Sequence, residues 1–167
     1  MVEDMLVLLT IVSALGSGLI GGVFFAFSTF VMKALGRLPA AQGIAGMQSI
    51  NIVVINPWFL GAFLGVGAVC LGLGVLSLVA WDRPGTGHLL AGSVLYLVGT
   101  LGVTMVCNVP RNDALAAADP ASSAGAALWA GYLKSWTAWN HVRTVAALSA
   151  SAVNTIALCA LCHAEHA

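Results

Sequence analysis

The sequence predicts an all-α integral membrane protein, a four-helix bundle with short interfacial helices. Of its residues 60% are hydrophobic and only 7% are charged. The mean hydropathy of +0.99 lies far outside the range of soluble globular domains. Uncharged apolar runs cover Met5 to Met32, Pro57 to Trp81, Leu89 to Cys107 and Thr144 to Cys162. Each is near or above the roughly 20 residues that a helix needs to cross about 30 Å of hydrocarbon. A membrane β-barrel would show short segments of alternating polarity, and none is present over a useful length.

Span one is expected over about 5–32. Glu3 and Asp4 stand where a secretory signal would carry basic residues, and the apolar run is too long for a signal core, so the segment reads as a retained span. Gly18, Gly22 and Ala26 form a ridge of small residues on which another helix can pack. From 39 to 54 the chain reads as an interfacial helix started by Pro39, with Gln48 and Asn51 as its polar features. Asn56, placed before Pro57, suits the N-cap of span two (57–81), with Trp58 at the headgroup level. Span two repeats the small-residue ridge with Gly61, Gly65, Ala68 and Gly72. Asp82 to Gly87 is a tight turn into span three (88–108). Asp119-Pro120 then signals a second interfacial helix over 120–136, with Trp129, Tyr132, Leu133 and Trp136 at helical spacing, ahead of span four at 140–162. Residues 1–167 make one membrane domain without a visible internal duplication.

Lys33, Arg37, Arg111, Lys134 and Arg143 follow span one or lie between spans three and four, whereas Arg83 alone occupies the other loop. The positive-inside rule therefore puts loops 33–56 and 109–139 in the cytoplasm and both termini outside, with Arg111 and Arg143 also open to a chemical role. A net charge of zero gives no basic field for nucleic acid, and no polybasic lipid tract is present. The expected partners are bilayer lipid and a lipophilic small molecule, and the glycine ridges leave room for a homo-oligomer.

With alternating spans, Lys33, Asn51, Asn56, Asn108, Arg111, Asn112, Asn140, His141 and Arg143 are brought to one mouth of the bundle. Thr100, Thr104 and Asn108 share one ridge of span three. Trp136, Asn140 and Arg143 share one stripe of span four, and Thr137, His141 and Thr144 the adjacent one, so both are expected to look into a common cavity. Amides and a guanidinium in hydrocarbon must bond each other, water or a ligand. Plainer readings stand beside this one. Asn56 serves as a cap, Arg143 snorkels to headgroups, His141 sits at the interface, and Trp58, Trp136 and Trp139 form an aromatic belt.

FFAFSTFVMKAL (24–35), MQSINIVVINPWF (47–59), CNVPRNDAL (107–115) and WTAWNHVRT (136–144) together resemble a bacterial membrane-protein family of unknown function that also takes in the fungal anthrone oxygenases. The resemblance covers nearly the whole chain and marks Asn56, Asn108, Asn112, Trp136, Asn140, His141 and Arg143 as signature positions. It implies an oxygenase that oxidises a doubly benzylic carbon without a cofactor. Deprotonation gives an electron-rich anion that reacts directly with O₂, so the protein must remove a proton, hold the anion and exclude water. Histidine is the side chain that ordinarily titrates near neutrality, which suits His141 to the base. Arg143, Asn140 and Asn108 would stabilise the oxyanion, and Asn56, Trp58, Thr104, Asn112 and Trp136 would line the substrate.

Two alternatives come from other classes: a noncatalytic membrane module that binds a small molecule or stabilises a partner, and a haem- or metal-dependent redox protein. The second draws on His141 or on Cys159, Cys162, His163 and His166, one helical face near the C-terminus, where Cys159-x-x-Cys162-His163 has the spacing of covalent haem attachment. The plain reading of those residues is ordinary helix packing, as for Cys70 and Cys107.

Overall fold

A computed structural model describes residues 2–164. The chain is 88% helical and has no strand among the described residues. Helix α1 runs over Val2–Ala26, widens into a π-helical turn at Phe27–Val31, and closes with an α turn at Met32–Leu35. Helix α2 is Ala40–Val53 and α3 is Pro57–Val79. Helix α4 begins as Thr86–Val94, passes through π-helical segments at Leu95–Gly102 and Thr104–Asn108, and ends as Val109–Ala116. Helix α5 is a single rod, Ser123–Ala164. Four of these helical stretches, Asp4–Leu35, Pro57–Val79, Thr86–Ala116 and Ser123–His163, are long and apolar enough to cross a membrane.

Local chemistry explains most of the boundaries. Asn56 caps α3, its Oδ1 accepting from the backbone N–H of Trp58 and Phe59 at 3.1 and 3.0 Å. The turn into α4 needs Gly85, whose φ of 83° lies in the left-handed region, and Thr86 Oγ1 ties the turn by donating to the carbonyls of Trp81 and Arg83. Pro110 has no N–H to donate to the preceding turn, and α4 meets it with the wide π turn of Thr104–Asn108 instead of a break.

Two boundaries differ from expectation. The expected separation between an interfacial helix at 120–136 and a span at 140–162 does not exist, since no Gly or Pro falls in Trp136–Asn140 and the backbone runs through. At 42 residues, α5 is about 63 Å long, roughly twice the thickness of a bilayer's hydrocarbon core. The helix also starts later than Asp119-Pro120: Ser122 Oγ accepts the Gly125 N–H at 2.9 Å, while Asp119 only closes the turn before it.

The four long helices form a ring in chain order, each antiparallel to its neighbours, with α5 packed most extensively on α1. Phe24, Phe63, Val66, Cys70 and Tyr96 fill the centre. At the mouth, α2 lays Ile44 and Met47 against Met32, Leu115, Trp129, Tyr132 and Trp136. Gln48 fastens it there by donating to the carbonyls of Leu115 and Ala118 at 2.8 and 3.1 Å.

The glycines that permit close packing are mostly not the expected ridges. Gly18 does lie against Ser151, but a Cβ on Gly22, Gly61, Gly65 or Gly72 would meet open space. The contact glycines are Gly16, Gly21, Gly67 and Gly74 together with Gly92 and Gly99 of α4, where a Cβ would come within 2.2 Å of Asn154 and 2.5 Å of Ala146. Four-residue spacing alone does not tell an inward stripe from an outward one, because both satisfy the same helical period. The outward faces carry Leu15, Leu71, Val79, Val98, Val106 and Val145, all exposed.

Candidate functional site

The polar side chains that meet inside the bundle come from three helices. Asn140 of α5 is fully buried, and its Nδ2 donates to the Phe24 carbonyl and to Ser28 Oγ of α1, both at 2.7 Å. Thr144 Oγ1 donates back to the Asn140 carbonyl at 2.8 Å, which leaves the Ser28 hydroxyl to donate to Thr144 Oγ1 across 3.0 Å. The Oδ1 of Asn140 accepts from Arg143 Nη2 at 2.6 Å. Arg143 Nη1 reaches Thr104 Oγ1 of α4 at 3.3 Å, and Thr104 in turn donates to the Thr100 carbonyl at 2.7 Å.

Arg143 is only 4% exposed. Its guanidinium lies 4.2 Å from the Phe24 ring centroid and 5.1 Å from that of Trp136, a cation held against two π faces. All of these partners are neutral, and Nε has none. Asn108 of α4 completes the set: it is fully buried, its Nδ2 donates to the Trp136 carbonyl at 3.3 Å, and its Oδ1 has no partner. A buried cation bonded only to neutral groups, in a bundle that also buries the unpaired Asn108 Oδ1, is costly. The π-helical turns of α1 and α4 coincide with this layer, as such turns often do at functional positions.

Trp136 belongs to a ladder that climbs out of the layer. Trp129, Tyr132 and Trp136 stack at centroid spacings of 5.6 and 5.9 Å. Asn112 fixes the ladder from α4, its Oδ1 accepting from Tyr132 Oη at 2.9 Å and from Trp136 Nε1 at 2.8 Å.

Thus Asn108, Asn140, Arg143, Thr104 and Trp136 come together, with Asn112 in the adjoining ladder, but none of them is among the residues that line the open groove in which His141 lies. Three expected residues do not join them. His141 is exposed: one residue beyond Asn140, it is turned by about 100° around α5 and faces outward. Asn56 is consumed by its capping role, its Nδ2 donating to the Val53 carbonyl at 2.9 Å while its Oδ1 caps α3. Trp58, 89% exposed at the start of α3, lies on the outer surface and stacks on nothing inside. Of the second expected stripe of span four, Thr144 joins the layer through Ser28 and the Asn140 carbonyl, whereas His141 does not.

His141 instead lines an open groove of about 470 Å³ between the end of α1 and α5, with Ser28, Met32, Lys33, Gly36, Arg37, Leu133 and Thr137. Ser28 is the link, since it forms part of the groove wall and bonds Asn140 behind it. Ser28, the Phe24 carbonyl and Tyr132 were not foreseen as site residues. A lone serine within the apolar run FFAFSTF was the available sign for Ser28.

Among the described residues the C-terminal face shows no convergence. Cys159 is exposed, Cys162 half-buried, and His163 Nδ1 bonds the Cys159 carbonyl at 2.7 Å; His166 lies outside the described residues. No group of three or more His, Cys, Asp or Glu close enough to hold a metal ion occurs among the described residues.

Fold and site together define a helical protein with four membrane-length helices around a buried, cation-bearing polar layer. The family described as anthrone oxygenase matches residues 58–153, more than half of the chain, and the protein belongs to that family. The match spans α3, α4 and most of α5, and so takes in Asn108, Asn112, Trp136, Asn140, His141 and Arg143. Membership supports a related oxygenase-type role. No curated protein and no solved structure matches the chain.

Proposed function

We propose that this protein is a membrane-embedded oxygenase of the anthrone oxygenase type, acting on a lipophilic aromatic or enolisable substrate by base-assisted deprotonation and direct reaction with O₂. The observation that carries the reading is the Arg143 guanidinium, buried against two aromatic faces and bonded only to neutral groups. A positive potential fixed in a low-dielectric interior stabilises an anion that develops nearby, and its own dipoles need not reorganise when the anion appears.

The substrate lies in the groove between α1 and α5. His141 takes the benzylic proton from the groove wall. Arg143 does not open onto that groove, so its role is corrected from direct contact to action through Asn140 and Ser28, whose bonded chain carries its polarisation to the wall. The carbanion passes an electron to O₂, the radical pair combines at carbon, and loss of water from the peroxide leaves a carbonyl. Overall, CH₂ and O₂ become C=O and H₂O, so the reaction balances with no external reductant. The exposed leucines and valines of the outer faces suit a bilayer setting, from which an apolar substrate reaches the groove laterally. The positive-inside rule, applied to the basic loops, supports a cytoplasmic setting for the groove.

Oxygen uptake with anthrone, corrected for spontaneous oxidation, tests the assignment. His141→Ala lowers the enzymic rate about a hundredfold or more. Equal uptake by both proteins would remove His141 from the chemistry, and binding without turnover in the wild type would turn the protein into a binding module.

A further inference from the structure

The groove has a second character that deprotonation does not use. Lys33 lies in the last turn of α1 and Arg37 in the turn that follows it, where its N–H donates to the Ala34 carbonyl at 3.2 Å; both line the groove, and His141 lines it from α5. No carboxylate lines it. Thr137 lines it as well, although its Oγ1 is itself buried. Met32 and Leu133 supply apolar wall between these groups. Lys33 and Arg37 give the groove two cationic side chains, and a guanidinium offers a carboxylate two parallel N–H donors. The volume of about 470 Å³ falls within the roughly 300–1,000 Å³ usual for small-molecule sites and far exceeds what a headgroup phosphate alone would fill.

We propose that this groove is built for a small lipophilic acid, its carboxylate held by Lys33 and Arg37 and its flat apolar body laid against Met32 and Leu133. The assignment rests on the oxygenase reading and deepens it, naming an acidic aromatic as the substrate class. Anchoring the acid at Lys33 and Arg37 fixes how far along the groove the rest of the molecule extends. Positioning of that kind is what a reaction at a single carbon requires.

Binding to the purified protein in detergent tests this without turnover. The probes are 9-anthracenecarboxylate, a fluorescent flat acid, and 9-anthracenemethanol, its neutral counterpart, read by fluorescence anisotropy. The wild type binds the acid about tenfold or more tightly than the alcohol. The Lys33→Gln/Arg37→Gln double variant abolishes that preference, and Arg83→Gln, in the loop at the other end of the bundle, changes nothing. Arg37→Gln alone replaces the double variant if the latter melts early. Equal affinity for acid and alcohol in the wild type, or an unchanged preference in the double variant, overturns the proposal. A second arm uses nanodiscs: affinity for the acid stays within about twofold when phosphatidylglycerol replaces phosphatidylcholine. Displacement of the acid by the anionic lipid would assign the groove to a headgroup and equally overturn the proposal. Because no oxygen is consumed, failure here is distinct from failure of the oxygenase reading, which only oxygen uptake decides.

Discussion

Two asparagines of α5, about four helical turns apart, make the same bond and have different surroundings. Asn140 Nδ2 donates to Ser28 Oγ of α1 at 2.7 Å, and Asn154 Nδ2 donates to Ser13 Oγ of α1 at 2.8 Å. Both residues are fully buried. The difference lies in the other half of each amide. Asn140 Oδ1 accepts from a guanidinium, whereas Asn154 Oδ1 has no partner and is pressed against Gly92 of α4, in a layer that also holds Ser17, Ser93 and Cys70. One layer carries a charge, aromatic faces and a nearby groove. The other is neutral and closed. The same side chain therefore aligns α1 with α5 at both levels, and only at the mouth is it also recruited to hold a cation.

The sharpest way to break that comparison is Arg143→Met. It removes the charge while keeping much of the volume, and the oxygenase rate falls by about tenfold to a hundredfold as the potential at the groove wall disappears. Melting in detergent shifts little, because the cost of desolvating an uncompensated cation is removed together with its bonds. A large loss of stability with full specific activity in the surviving fraction would make the mouth layer a structural twin of the deeper one.

Next in size is Gly92→Ala. The added methyl would stand 2.2 Å from Asn154 Oδ1 and 2.7 Å from its Cγ, so α4 and α5 must separate or the amide must leave Ser13. Overpacking of this kind costs about 1–3 kcal/mol, read as a lower melting temperature, with activity per folded molecule retained. Gly61→Ala, whose methyl meets open space, is the matched control and leaves both unchanged. A similar loss from both substitutions would mean that close approach at Gly92 is not what matters.

Hydropathy and spacing made the four long helices legible, as well as the meeting of Thr104 and Asn108 with Asn140 and Arg143, because both sets follow the helical period within single segments. Rotation about a helix axis was less legible. His141 and Asn140 are neighbours in sequence, and only the packing of α1 on α5 decides which of them faces inward. The same ambiguity misplaced the Gly61, Gly65 and Gly72 ridge, which faces outward. Ser13, Ser28 and Asn154 pass easily as incidental polar residues in long apolar runs, since their partners lie more than a hundred positions away. The groove was hidden for a related reason: Lys33 and Arg37 account fully for themselves as topology markers until α5 is set opposite them.

The smallest effect, and the one that best isolates the deeper layer, is Asn154→Val. Valine reaches less far from the backbone than asparagine and carries no polar atom, so the substitution deletes the bond to Ser13 and relieves the unpaired Oδ1 at once. Interhelical hydrogen bonds between membrane helices average about 0.6 kcal/mol and reach about 1.7, because an unfolded chain in the bilayer finds other partners. Against that loss stands the benefit of no longer burying an unsatisfied carbonyl oxygen. The net shift in stability is therefore less than about 1 kcal/mol, and oxygen uptake stays within about twofold of wild type. Ser13 remains satisfied, since its Oγ also contacts Cys70 Sγ at 3.2 Å. A loss of oxygen uptake as large as that from Arg143→Met, in protein that still melts normally, would show that the deeper layer takes part in the chemistry and that its resemblance to the mouth extends beyond the asparagine–serine bond.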